Sequence, residues 1–194
     1  MRLVRVTIIT AAAVGMLSFI LLTGRDSSAQ KLSKSFTIQA QAMGTSTQLG
    51  RNFSMNLNVE EFSTPEDQKA LIEAFNQKGN EGLVNALSKM KSKGRLSITG
   101  TLGYTVNYIR QFNLPDGSKK IRFVTDRPIR FGEAWSDSRS SDYNLSGGEI
   151  VLTPGDKKNS GTLLPACQLK IDKEGQLQLE LLQNHWNLVN IRRR

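Results

Sequence analysis

STPEDQKALIEAFNQKGNEGLVNALSKMKSKGR, residues 63–95, is the stretch on which the fold turns. Ser63 or Thr64 can cap a helix, Pro65 suits its first turn, and Glu66 and Asp67 complement the positive end of the helix dipole. Ala70, Leu71, Ala74 and Phe75 recur at helical spacing, and Gly79 ends the run. Asn80 can cap a second helix in which Leu83, Val84, Leu87 and Met90 share a face. Lys89, Lys91 and Lys93 sit at its negative end, and Gly94 reads as its stop. Two amphipathic helices back to back need a surface to cover. The flanking sequence has the two-residue period of strands, so that surface is a sheet.

Upstream, residues 36–42 alternate. Asn52–Val59 has the clearest period, with Phe53, Met55, Leu57 and Val59 on one side and Asn52, Ser54, Asn56 and Asn58 on the other. Downstream, Leu96, Ile98, Leu102, Tyr104, Val106 and Tyr108 alternate along a run that Gly100 and Gly103 interrupt with a bulge or bend. Leu114-Pro115-Asp116-Gly117-Ser118 is a turn, after which Lys119–Thr125 returns with Ile121 and Phe123 inward and Lys120 and Arg122 outward. Asp126-Arg127-Pro128 breaks the chain before a further strand at 129–135, and residues 137–148 read as a loop. A short strand at 150–153, the turn Pro154-Gly155-Asp156, a hairpin of 163–171 with 176–182, and a last strand at 188–191 complete the chain. The expectation is a single α+β domain over residues 30–194. It is a curved, mostly antiparallel sheet or partly closed barrel of seven to nine strands, with one helical hairpin packed on a face or plugging an end.

Residues 1–29 have the form of an export signal. Arg2 and Arg5 precede an apolar run at 6–22, and Ser27 and Ala29 have the spacing of a cleavage site before Gln30. An uncleaved membrane anchor is the alternative, because the apolar run is at the lower edge of a span. The expected location is the periplasm or the medium. The formal charge of +9 becomes +7 when Arg2, Arg5, Arg25 and Asp26 leave with the signal. A basic exported protein attracts anionic lipids, polysaccharides or acidic partners. Cys167 is the only cysteine, so no internal disulfide forms, and none lies near the signal to carry a lipid.

Few residues have a catalytic pattern. Cys167 shares a parity with Leu169 and Ile171 and reads as a small core hydrophobe, and His185, the one histidine, falls in a strand connection. No Gly-x-Ser-x-Gly elbow, Walker loop, dinucleotide fingerprint or Cys-x-x-Cys pair is present. Asp142-Tyr143-Asn144-Leu145-Ser146-Gly147 places oxygen side chains at alternate positions before a glycine, as in the first half of a calcium loop. The twelfth position is Thr153 rather than a bidentate Glu. The candidate Ca²⁺ ligands are therefore Asp142, Asn144 and Ser146, with Glu149 in another geometry.

The candidate ligand-binding residues are the cations Arg110, Lys120, Arg122, Arg127 and Arg130 on and after the hairpin. Tyr104, Tyr108 and Phe112 lie nearby but read as sharing the buried parity, which weighs against nucleic acid. The ordinary reason for such outward charge is protection of a sheet edge. Two functions follow as expectations. One is a non-catalytic binding or interaction module of a bacterial envelope, taking an anionic component on the basic hairpin or an apolar small molecule within the sheet. The other is an exported hydrolase using paired acids, such as Glu133 with Asp137 or Asp142, or a bound metal.

Overall fold

The computed structural model describes residues 35–129, 144–156, 158–173, 175–180 and 185–194. The strands are β1 (Phe36–Gly44), β2 (Asn52–Val59), β3 (Gly94–Ile98), β4 (Tyr104–Asn113), β5 (Lys119–Thr125), β6 (Leu145–Leu152), β7 (Ser160–Ile171), β8 (Leu177–Glu180) and β9 (Trp186–Arg193), with the helical element α1 (Pro65–Lys89) between β2 and β3. Every pairing is antiparallel. The order runs β6-β5-β4-β3-β2-β1-β9-β7, and β6 also pairs with β7. The α+β expectation therefore holds, and the sheet goes further than a partial barrel: eight strands close completely. β8 stands outside the ring, paired with the far half of β7 from Gln168↔Glu180 to Ile171↔Leu177.

Alternation sends one side of each strand inward. Ile38, Met55, Leu57, Leu96, Ile121, Phe123, Ile150, Leu163, Trp186 and Leu188 belong to one buried cluster that fills the ring. Eight strands enclose about the width that side chains can fill. A second cluster lies outside the barrel. Leu71, Leu83 and Leu87 of α1 cover Tyr108, Val124, Leu145, Leu164, Cys167, Leu169 and Leu177. The helical element thus packs on one outer face and plugs neither end. Each of those three leucines is fully buried, which contributes roughly 1.5–3 kcal/mol apiece.

The caps of α1 follow the sequence. Thr64 Oγ1 accepts from the Asp67 N–H at 3.2 Å, and Asp67 Oδ2 accepts from the Thr64 N–H at 2.8 Å, a reciprocal capping box. The expected break appears as a kink, with Gly79 at φ 58. Asn80 does not cap the second segment; its Nδ2 donates to Gln168 Oε1 of β7 at 2.6 Å.

Several local expectations change. Of the two readings of Gly100 and Gly103, the bend holds and the bulge does not; they lie in the turn between β3 and β4, which pair from Gly94↔Val106 to Leu96↔Tyr104. The bulge comes later, between Val106 and Tyr108. Gly147 and Gly148 are strand rather than loop. A Cβ on Gly148 would sit 2.7 Å from the Phe123 ring, so glycine there makes room for the core. The strand expected at 129–135 lies, after Ile129, outside the described residues.

Gly94 is no helix stop, since α1 ends at Lys89 and Gly94 opens β3. A Cβ there would stand 2.1 Å from the Asn58 carbonyl oxygen. Lys93 beside it is 6% exposed and far from a simple dipole partner. Its Nζ lies 3.1 Å from Glu61 Oε1 and 2.9 Å from Asp67 Oδ2, tying the start of β3 to the start of α1. Burial works to lower the Lys93 pKa, but the hydrogen bonds and charges of Asp67 and Glu61 outweigh it and hold the ammonium above its ordinary 10.5. The hydrogen bond from Lys93 in turn holds the Glu61 carboxyl below 4.5.

Two predictions follow from this corner. Gly94→Ala lowers the midpoint of chemical unfolding by an amount equal to about 1–3 kcal/mol, the usual cost of overpacking. Lys93→Met costs about 1–3 kcal/mol near neutrality, below the full buried-pair range because both carboxylates are partly in water. Glu61 has a lowered folded pKa, so its contribution is present above 4.5 and is lost as pH falls through the folded value. Urea melts from pH 6 down to 3 should show a shallower acid decline in Lys93→Met than in the parent.

Candidate functional site

The parity of β4 decides which side chains reach the surface. Tyr104 and Val106 point into the barrel, as expected. The bulge at Asn107 then shifts the strand by one residue, so that Ile109 faces in and Tyr108 faces out under α1. Asn107 Nδ2 donates to the Met90 carbonyl at 3.2 Å and holds the bulge against the end of α1. Arg110 and Phe112 consequently stand on the outer face. The expectation that Phe112 shares the buried parity of Tyr104 is corrected here.

The cross-strand register completes the arrangement. Arg110 is opposite Arg122, Phe112 is opposite Lys120, and Arg122 is opposite Glu149 of β6. Three cations surround one ring: the Arg110 Cζ lies 5.7 Å, the Lys120 Nζ 5.5 Å and the Arg122 Cζ 5.1 Å from the centroid of Phe112. The negative face of the ring offsets part of their mutual repulsion. Glu149 supplies the rest. The Arg122 Nε donates to Glu149 Oε1 at 2.6 Å, and the Lys120 Nζ is 4.0 Å from Glu149 Oε2.

Arg122 differs from its neighbours. It is 6% exposed, and its Nη1 donates to the Leu177 carbonyl of β8. That guanidinium pins the β8 arm to the barrel and forms the floor of a cavity of about 290 Å³, walled by Lys120, Thr162, Leu164, Gln178 and Leu179. Arg110 and Lys120 are only half-buried. Edge protection does not account for Lys120, which is paired with Phe112 on one side and Val151 on the other, whereas Arg110 stands past Val106, where the β3–β4 pairing ends, and keeps that ordinary role open to it.

The remaining candidates separate. Arg127 sits at the opposite end of β5. Its Nη2 donates to the Gly103 carbonyl at 3.3 Å and its Cζ lies 5.3 Å from the Tyr104 centroid. Arg130 and Asp142 lie outside the described residues, as do Glu133 and Asp137. Asn144 is exposed just before β6. Ser146 is a buried strand residue whose Oγ donates to the Arg127 carbonyl at 2.9 Å. Glu149 is engaged by Arg122. Among the described residues no three His, Cys, Asp or Glu side chains are grouped to hold a metal ion, and no helix is long and apolar enough to cross a membrane.

Cys167 has a structural place. Cys167 is fully buried beneath α1, and burial pushes its thiol up to about 12. Too little thiolate exists near neutrality for a nucleophile. The His185 carbonyl accepts the Thr45 hydroxyl at the start of β9. Phe112 and the pairing of Glu149 with Arg122 were the parts not read from sequence. The adjacent apolar pair Tyr108-Ile109 was the available signal, since two neighbouring apolar residues break strict alternation.

Cys167 should fail to react with an aromatic disulfide reagent at pH 8 in the folded protein and react fully in denaturant. Fast native labelling would show that the layer beneath α1 opens. Neither a protein-family model, nor a curated protein, nor a solved structure matches this chain.

Proposed function

We propose that the protein is an exported, non-catalytic binding module of a bacterial envelope or its surroundings, and that it holds an anionic polymer on the outer face of β4 and β5. The observation that carries this reading is the placement of Arg110 and Lys120 on either side of Phe112. Both are partly in water, both lie within 6 Å of the ring, and neither is consumed in pinning β8. A guanidinium binds carboxylate or phosphate with two parallel hydrogen bonds, and an ammonium adds a point charge. The half-buried ring between them offers an apolar surface to a sugar or acyl segment. The adjoining cavity extends the same surface toward β8.

Two other readings have less support. An apolar ligand within the sheet would have to displace side chains, because Met55, Leu57, Phe123 and Trp186 already fill the interior. The hydrolase reading rests on Glu133, Asp137 and Asp142, which lie outside the described residues.

The test is retention on a carboxylated or phosphorylated polysaccharide matrix across a salt gradient. The parent should elute late, and Arg110→Glu with Lys120→Glu should weaken binding at least about tenfold, two charges each contributing about 1 kcal/mol at an anionic surface. Lys69→Glu, on the exposed side of α1, should leave retention near the parent value. Equal retention of the parent and the Arg110/Lys120 variant would sink the proposal.

A further inference from the structure

Two large apolar side chains among the described residues stand almost wholly in water: Leu49 is 81% exposed and Leu102 is 92% exposed. Leu49 belongs to the connection between β1 and β2, Leu102 to that between β3 and β4. Antiparallel pairing puts both connections at the same end of the barrel, on neighbouring hairpins. Phe36 and Arg193, where the chain enters and leaves the ring, lie at the other end.

Neither leucine is exposed for want of local structure. Gln48, Leu49, Gly50 and Arg51 form a turn closed by the Arg51 N–H on the Gln48 carbonyl at 3.1 Å, with Leu49 at φ −53, ψ 135 and Gly50 at φ 85. These angles are those of a type II turn, which aims Leu49 away from the barrel. The Gln48 side chain is buried beneath it. The second loop is closed by the Thr101 N–H and Oγ1, both donating to the Ile98 carbonyl. Two arginines brace the same loop from outside: Arg95 donates to the Leu102 carbonyl and Arg127 to the Gly103 carbonyl. The backbone of Leu102 is thus held while its side chain is left uncovered.

Among the described residues, the charge around the two tips has one dominant sign. Arg51, Arg95 and Arg127 are exposed, and the described residues of the β1–β2, β3–β4 and β5–β6 connections at this end include one acid, the half-buried Asp126. Isolated leucines on loop tips do not make the contiguous patch that a stable protein interface needs. Single apolar tips ringed by arginines instead match a shallow lipid contact, in which apolar groups enter the acyl boundary and cations meet the headgroups. We propose that this end of the barrel docks on an anionic lipid surface, with Leu49 and Leu102 as the inserting side chains. The site is separate from the Arg110–Phe112–Lys120 face.

The test uses the chain from Gln30 onward, which holds every strand of the ring and omits the apolar run at 6–22. Co-sedimentation is measured with vesicles of phosphatidylglycerol and phosphatidylcholine, and with phosphatidylcholine alone. The parent should bind the anionic vesicles, and less so in high salt. Leu49→Asp and Leu102→Asp should each weaken partition about tenfold without changing the melting temperature, since both positions are exposed. Arg110→Glu with Lys120→Glu should bind vesicles nearly as the parent does, so failure here is distinct from failure of the polymer site. An environment-sensitive dye on Leu102→Cys should brighten on anionic vesicles. Parent binding that survives both aspartates would overturn the proposal, as would absence of binding to anionic vesicles. It would also be overturned if the aspartates abolished only self-association in sedimentation velocity.

Discussion

Strand β9 is hydrogen-bonded on both sides. It pairs with β1 from Ile38↔Arg193 to Gly44↔Trp186 and with β7 from Gly161↔Leu188 to Leu163↔Trp186. These backbone bonds join the two ends of the sheet and convert an open meander into a ring. Closure gives each strand of the ring a neighbour on both sides, although β4 beyond Val106 pairs with β5 alone. It also makes all inward side chains share one interior, which is why residues as distant in sequence as Phe36 and Ile191 belong to the same buried cluster. The residues of β9 are therefore as necessary to the core as those of β1.

A closed barrel has an outside that must be either wet or covered. Here the outer face of β4 to β7 is divided. Tyr108, Val124, Leu145, Leu164 and Cys167 lie under α1 and β8. Arg110, Phe112 and Lys120 are left at the border of that cover. Arg122 marks the boundary, ion-paired with Glu149 on one side and hydrogen-bonded to the Leu177 carbonyl on the other. Its charge is committed to architecture, whereas its two neighbours Arg110 and Lys120 remain partly in water. The Lys93 cluster is a similar case: a cation expected at a helix end is instead a buried clasp between two elements.

Strands β2 and β5 were legible to the residue, because each keeps strict alternation between clear turns. The capping box was legible because its chemistry is contained in four consecutive residues. The candidate site was legible only in its parts. Arg110, Lys120 and Arg122 could be named, but their meeting around Phe112 depends on the bulge at Asn107, which flips the second half of β4. Arg127 was grouped with them by proximity in sequence and is separated from them by the length of β5. Gly147 and Gly148 looked like loop by composition. Their role is spatial: a Cβ on either would collide with Leu179 or with Phe123.

The sequence by itself determined the local periods, the N-terminal cap of α1, the tight turns, the antiparallel class and the basic balance, because each depends on residues within a few positions of one another. Tertiary structure decided closure, the choice of an outer face for α1, the burial of Lys93 and the convergence of cations on Phe112. Those depend on register between strands far apart in the chain. A single bulge moves every following side chain to the opposite face of its strand. Residues 63–95 show both halves of this division. Their helices and N-terminal cap come from local chemistry, while the work of Lys93 and Gly94 is set by Glu61, Asp67 and Asn58, which only the folded barrel brings beside them.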